Sequence, residues 1–199
     1  MTGSSSHTAL QVFAWPYCQA HWQQGVLLVS VTTGPGDSRT RARKEIRLAL
    51  REALSQSLGI ATESIHIHSP PGQALQLSLP GWGLAGLSIS HEQGLSLAAV
   101  HLYGAVGVDL MQVEEIPDWQ LVAQDYLGPS VTGQLLELTE DLRPPAFAQA
   151  WSEREATLKC AGLPLTEWFP LHPPAYRCFA LDLPDDWVGT LVLPAMTHH

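Results

Sequence analysis

The chain is poor in cysteine. Three residues, Cys18, Cys160 and Cys178, occur in 199, an odd count with no Cys-x-x-Cys spacing, which excludes a disulfide framework and a cysteine-rich zinc site and fits a reducing compartment. Charge is also sparse, at 15% of residues with a net of −9, so nonspecific nucleic-acid binding is excluded as the main task. A long apolar run is lacking as well. The longest, LSLAAVHLYGAVGVDLM (95–111), is interrupted by His101, Asp109 and two glycines, whereas a membrane span needs ~20 nearly uninterrupted apolar residues. The opening MTGSSSHTAL has no basic segment followed by an apolar one, so a soluble, cytoplasmic protein is expected. Neither GxGxxG nor GxxxxGK[ST] is present, which excludes the standard dinucleotide and P-loop phosphate sites. No exact internal repeat is visible.

What is there is a chain able to bury a core. Hydrophobic residues make up 45%, too many for a disordered tail. Gly 16 and Pro 15 imply many turns and argue against a helix bundle. Residues 10–15 and 26–32 read as strands. A helix is expected over 38–57, capped by Asp37 or Ser38, carrying an apolar stripe of Ile46, Leu50, Ala53, Leu54 and Leu58, and ended by Gly59. Alternation predicts a strand at 64–68, and 75–83 reads as a short extended piece and turn. Strands follow at 84–90, 94–102 and 105–113, with links short enough for antiparallel neighbours. Helices are expected at 118–127, 129–138 and 144–161, a proline-rich loop at 163–176, and strands at 176–183 and 189–195. Strands in runs with helices inserted indicate an α+β fold rather than a doubly wound one.

Six of the ten basic residues, Arg39, Arg41, Arg43, Lys44, Arg47 and Arg51, fall in one run, 39–51, of the first predicted helix, where Glu45 is the single acid. Arg43, Arg47 and Arg51 step by four and share a side of that helix, where like charges repel unless an anion lies among them. A phosphorylated small molecule or an acidic partner surface would suit such a patch; a solvated helix face is the plainer reading.

Three short pieces carry chemistry. Ser90-His91 stands at a strand end. Asp109, in Gly-Val-Asp-Leu-Met (107–111), is a carboxylate in an otherwise apolar strand, costly to bury without a cation or donors; a strand-end aspartate facing water is the alternative. In Trp-Ser-Glu-Arg-Glu-Ala-Thr-Leu-Lys (151–159), Trp151, Glu155 and Lys159 share one helix face. By itself this is an ordinary Glu–Lys pair worth ~0.3–0.5 kcal/mol beside a core tryptophan. Nothing in the local sequence brings the three pieces together.

Taken together, LSISH (87–91), GVDLM (107–111) and WSEREATLK (151–159) resemble the motifs of the 4'-phosphopantetheinyl transferase superfamily, and more closely its monomeric two-lobed, surfactin-synthetase-activating branch. The last piece fits the family pattern W-x-x-K/R-E-x-x-x-K through Arg154, Glu155 and Lys159. Upstream, ARKEIRLALR (42–51) is similar to the family's arginine-bearing first helix and PGQAL (71–75) to its G-K-P loop. The resemblance covers roughly residues 35–162.

It implies two similar α+β lobes related by a pseudo-two-fold, each a small antiparallel sheet packed with helices. Residues 1–104 would form the N-terminal lobe and 105–199 the C-terminal lobe, with coenzyme A in the cleft between them. The implied reaction moves the phosphopantetheine arm of coenzyme A to a serine of an apo acyl or peptidyl carrier protein and releases adenosine 3',5'-bisphosphate. Asp109 and Glu155 would hold Mg²⁺, which favours carboxylate oxygens, phosphates and waters. Lys159 would reach the same phosphates and act in catalysis with those two acids. Ser90 and His91 would bind coenzyme A phosphates, and Arg43 and Lys44 its 3'-phosphate end. The chain would act as a monomer, with no nucleic-acid or membrane partner.

Three positions depart from the family pattern. Met111 stands where many members have a second metal-binding acid, and a thioether is a poor Mg²⁺ ligand. Gln73 replaces the loop lysine, and Val131 replaces a glutamate frequent in the family. The proton acceptor is left open among Glu155, a metal-bound water, Glu114 and Glu115. A catalytically weakened carrier- or coenzyme A-binding module of the same fold is the second reading. An unrelated metal-dependent phosphohydrolase is the third, though it would need more ligand clusters; His66 and His68 have no acidic companion and read as structural. The loop 162–176, with Trp168 and Phe169, lines a carrier groove or packs on the core.

Overall fold

The computed structural model describes residues 9–34, 36–70, 75–170 and 176–195, so PGQAL apart from Leu75, including Gln73, lies outside the described residues, as does part of the 163–176 loop. The fold is α+β. Its elements are strands β1 (Leu10–Gln11), β2 (Phe13–Ala14) and β3 (Val26–Thr32), helix α1 (Arg39–Leu58), strands β4 (His66–His68), β5 (Gln76–Leu79), β6 (Gly83–Glu92), β7 (Leu95–His101) and β8 (Gly107–Gln112), helices α2 (Trp119–Val122), α3 (Pro129–Leu136) and α4 (Arg143–Cys160), and strands β9 (Tyr176–Asp182) and β10 (Trp187–Pro194). One sheet has the order β2-β3-β7-β6-β5-β4 and the other β1-β9-β10-β8.

Helix α1 begins where Ser38 accepts the amide of Arg41 and ends where Gly59 takes the left-handed conformation at φ 66°, the conformation glycine adopts most cheaply. Its apolar stripe, Ile46, Leu50 and Leu54, packs on one face of the first sheet against Leu27, Val29, Ala98 and Val100. The alternate residues of the same strands, Val26, Leu28, Leu97 and Ala99, point the other way and meet Val108, Leu110, Leu191 and Leu193 of the second sheet. Strands β3 and β7 are therefore buried on both faces, which explains their nearly unbroken apolar sequence. Each buried leucine, isoleucine or valine among them contributes roughly 1.5–3 kcal/mol on burial. Helix α4 covers the outer face of the second sheet, with Ala156 and Cys160 against Val192. The layers run α1, first sheet, second sheet, α4.

The segment 10–15, expected as one strand, is two. Leu10 pairs in parallel with Leu181 in the second sheet and Phe13 in parallel with Val29 in the first, so the chain steps between sheets at Val12. Both sheets thus hold one parallel pair in an otherwise antiparallel ladder. The expected strand at 64–68 is shorter, because Thr62–Ser64 forms a 3₁₀ turn. The helix expected at 118–127 closes with a π turn over Ala123–Leu127. No helix among the described residues is long and apolar enough to cross a membrane.

Candidate active site

Strand β6 is the hinge of the site. Its odd residues Leu87 and Ile89 face α1, and His91, next in that alternation, pairs in register with Ser96 and shares a hydrogen bond with it, Nδ1 to Oγ at 2.9 Å. Its even residues face β8. Ser88 Oγ accepts the amide of Val108 at 3.0 Å, and Ser90 Oγ donates to Asp109 Oδ1 at 2.6 Å. Two serines thus join the end of the first sheet to the strand of the second that carries Asp109.

Asp109 is 3% exposed. Its Oδ1 also accepts Lys159 Nζ at 2.6 Å, and its backbone carbonyl accepts Ser152 Oγ at 3.0 Å. Lys159 lies 3.6 Å from Glu155 Oε2 one turn back along α4 and donates further to Ser90 Oγ and the Val108 carbonyl, each at 3.3 Å. One ammonium therefore answers two carboxylates. Burial drives the Asp109 carboxyl up to about 6, opposed by Lys159 and reinforced by Glu155. Desolvation exceeds what a single lysine returns.

Above these residues opens a cleft of about 890 Å³. Asp109, Glu155, Lys159 and Trp151 form one wall, Ser90 and His91 the strand end, and Arg39, Arg43, Lys44 and Arg47 of α1 the other wall. Trp151 is held by stacking on Phe147, with centroids 6.1 Å apart and planes at 14°. The cations act together: His91 is pushed down to about 4, first by burial and then by Arg43, Arg39, Lys159 and Arg47. At neutral pH it is an uncharged hydrogen-bonding ring in a strongly positive field. Such a cleft concentrates polyanions.

The cleft gathers Arg43, Lys44, Ser90, His91, Asp109, Glu155 and Lys159. It leaves others out. Arg51 turns away and its Nε reaches the Ile65 carbonyl at 3.4 Å, because eight residues of helix carry it ~12 Å along the axis from Arg43. Arg41 is neutralised by Asp37 at 3.1 Å and Glu45 at 2.8 Å. Arg154 lies over the Phe169 ring, 5.1 Å from its centroid, away from the cleft. Met111 packs into the apolar cluster of Leu127, Leu135 and Phe147. Glu114 and Glu115 line a separate hollow beside Trp119 and Arg143. Trp168 is pinned by its amide to the Asp125 carbonyl at 2.6 Å.

Two residues at the cleft had no signal in the short motifs: Ser152 anchors the Asp109 strand and Glu92 lines the cleft. Arg39 and Arg47, from the basic run, join its cationic wall. Among the described residues no three His, Cys, Asp or Glu side chains stand close enough to hold a metal by themselves. Two carboxylates around one ammonium, open to a large wet cleft, fit an ion that keeps waters and takes ligand phosphates.

No family model matches the chain. It is 26% identical over 117 residues to a Synechocystis sp. protein that carries the provisional name 4'-phosphopantetheinyl transferase, covering 59% of this chain and 48% of that protein. It is 29% identical over 75 residues to the 4'-phosphopantetheinyl transferase HetI of a Nostoc species, covering 38% of this chain and 32% of that protein. The matched region thus spans less than half the length of either relative. Over part of its length the chain is similar to proteins of one kind, phosphopantetheinyl transferases.

Proposed function

We propose that the protein transfers the 4'-phosphopantetheine arm from coenzyme A to a serine of an apo acyl or peptidyl carrier protein, with Mg²⁺, releasing adenosine 3',5'-bisphosphate, and that it works as a cytoplasmic monomer. The observation that carries this reading is the Ser90–Asp109–Lys159–Glu155 knot, with Asp109 buried and Lys159 and Glu155 half-buried, at the base of a cleft walled by Arg39, Arg43, Lys44 and Arg47. The two relatives named for this transfer support it.

The reaction breaks a pyrophosphate at its β-phosphorus, so it needs charge neutralisation and alignment more than covalent chemistry. Arg43 and Lys44 suit the 3'-phosphate end of coenzyme A, and neutral His91 suits a hydrogen bond to phosphate oxygen without a charge of its own. Lys159 is placed to move from the carboxylates to the pyrophosphate and to offset charge as the adenosine bisphosphate leaves. Asp109 and Glu155 are the oxygens that would hold Mg²⁺, which would supply Lewis-acid stabilisation of the phosphates; Met111 would not take part. Removing either carboxylate would leave Mg²⁺ with one protein carboxylate to hold it and Lys159 with one acidic partner in place of two.

The test is the intact mass of a panel of apo carrier proteins after incubation with coenzyme A, Mg²⁺ and the protein. A phosphopantetheine-sized gain that disappears with Asp109→Ala and with Glu155→Ala is the expected result. Coenzyme A binding without a mass gain on any carrier would favour the second reading, a weakened module, to which the packing of half-buried Met111 against apolar side chains gives weight.

A further inference from the structure

The reaction needs a group to take the proton of the attacking hydroxyl, and the cleft holds one carboxylate that the assignments above leave unused. On the reading that the site transfers phosphopantetheine, we propose that Glu92 is the catalytic residue that accepts the proton of the carrier's serine. The Ser Oγ–H bond breaks, its proton passes to a Glu92 carboxylate oxygen, and Oγ forms its bond to the β-phosphorus. The phosphorus–oxygen bond to the adenosine bisphosphate breaks, and its electrons leave as phosphate charge beside Lys159. Glu92 then returns the proton to water.

The placement follows from register. Ser88, Ser90 and Glu92 lie on the same face of β6, since side chains alternate along a strand. Ser88 touches the Val108 amide and Ser90 touches Asp109, so Glu92, one step further out, stands at the mouth of the cleft above the Asp109 knot. It lines the cleft and also an adjoining hollow of about 450 Å³ that it shares with Arg39, His91 and Gly94. A serine on a macromolecule must enter at such a lip, because only the small nucleotide fits the depth.

The other carboxylates are committed. Asp109 Oδ1 already takes the Ser90 hydroxyl and the Lys159 ammonium, and Glu155 takes Lys159. Glu114 and Glu115 line the hollow by Trp119. Glu92 has no salt bridge among the described residues; its carboxylate accepts the Gln93 amide. The charged groups facing it are Glu155 from α4, Glu114 beyond β8 and Arg39 from α1. Desolvation, then the two glutamates, raise its basicity, while the Gln93 amide and Arg39 oppose them. That direction suits a proton acceptor near neutrality.

The experiment compares wild type, Glu92→Gln and Glu92→Asp on a carrier that the wild type modifies, measuring kcat against pH and coenzyme A affinity by calorimetry. Glu92→Gln is expected to lower kcat about 100-fold or more, to change the acid limb of the kcat profile to the part that Asp109 sets, and to leave coenzyme A affinity unchanged. Glu92→Asp is expected to keep the acid limb and recover part of the rate. A Glu92→Gln enzyme with wild-type kcat, or one with an unchanged acid limb, overturns the assignment while the transfer itself stands. Loss of coenzyme A affinity in parallel with kcat overturns it in favour of a binding role. Absence of transfer by the wild type overturns the proposed function, and this inference with it.

Discussion

At the residue scale the site runs against stability. An aspartate 3% exposed with one lysine to answer it is held up near 6, against an ordinary 3.8. A group whose folded pKa is raised favours the folded state most below its unfolded value, and that contribution is lost as pH rises through the folded one. Asp109 therefore costs stability from about pH 4 upward, fully so above about 6. Asparagine keeps the shape and can still accept the Ser90 hydroxyl and the Lys159 ammonium, but carries no charge to desolvate. Asp109→Asn is expected to stabilise the protein at pH 7 by about 1–3 kcal/mol, converting each pKa unit at 1.36 kcal/mol, and to remove transfer. Denaturant melts of both proteins at pH 4 and pH 7 check this. A gain at pH 7 that vanishes at pH 4 is the signature; equal melts at both would show that Lys159 fully compensates the buried charge.

At the scale of elements, the position of Glu155 and Lys159 depends on how closely α4 lies on β8. The contact is made at Gly107, where an added Cβ would run into the Ala156 carbonyl and press on the Cys160 amide. Backbone cannot give way as a flexible side chain does, so α4 would have to lift. Gly107→Ala is expected to cost about 1–3 kcal/mol in stability and to reduce transfer further than that loss explains, because Ala156 adjoins Glu155. Gly133 in α3 has open space around its Cβ position, so Gly133→Ala should instead add up to about 1 kcal/mol. Paired melting and transfer assays of the two variants separate helix displacement from general destabilisation.

The same contact shows what the sequence could and could not disclose. The ends of α1 were legible because Ser38 and Gly59 act locally, and β3 and β7 because their apolar runs are nearly unbroken. The break at Val12 was not, since residues 10–15 keep one continuous extended pattern while their partners lie in different sheets. In the site, Asp109 was conspicuous as a charge in an apolar strand, and the i, i+4, i+8 spacing placed Trp151, Glu155 and Lys159 on one face. Ser152 and Glu92 had no such signal: each matters only through the register of elements far apart in sequence. Arg51 failed to reach the cleft because helical spacing fixes a side but not a depth along the axis.

For the whole molecule, the charge layout sets how it meets its ligand. The chain carries a net charge of −9, so at long range it repels anions, the proposed substrate coenzyme A among them. The cationic wall of α1 reverses this only near the cleft, where Arg39, Arg43, Lys44 and Arg47 gather and Arg41 is already paired. Salt acts on the two contributions differently. The Debye length falls from ~10 Å at 0.1 M to ~3 Å at 1 M, which weakens the spread attraction of four cations for phosphates. The short Asp109–Lys159 pair, 2.6 Å apart with its carboxylate buried, is screened much less. Coenzyme A affinity is therefore expected to fall by about an order of magnitude between 0.05 and 0.5 M salt, while the melting temperature of the free protein changes little. Arg43→Ala and Lys44→Ala should each flatten that slope as well as weaken binding, and Arg41→Ala should do neither. Calorimetric titration of coenzyme A over the salt series reads the slope directly. A slope unchanged in Arg43→Ala and Lys44→Ala would place the phosphates elsewhere in the cleft, against the Lys159 wall rather than on α1.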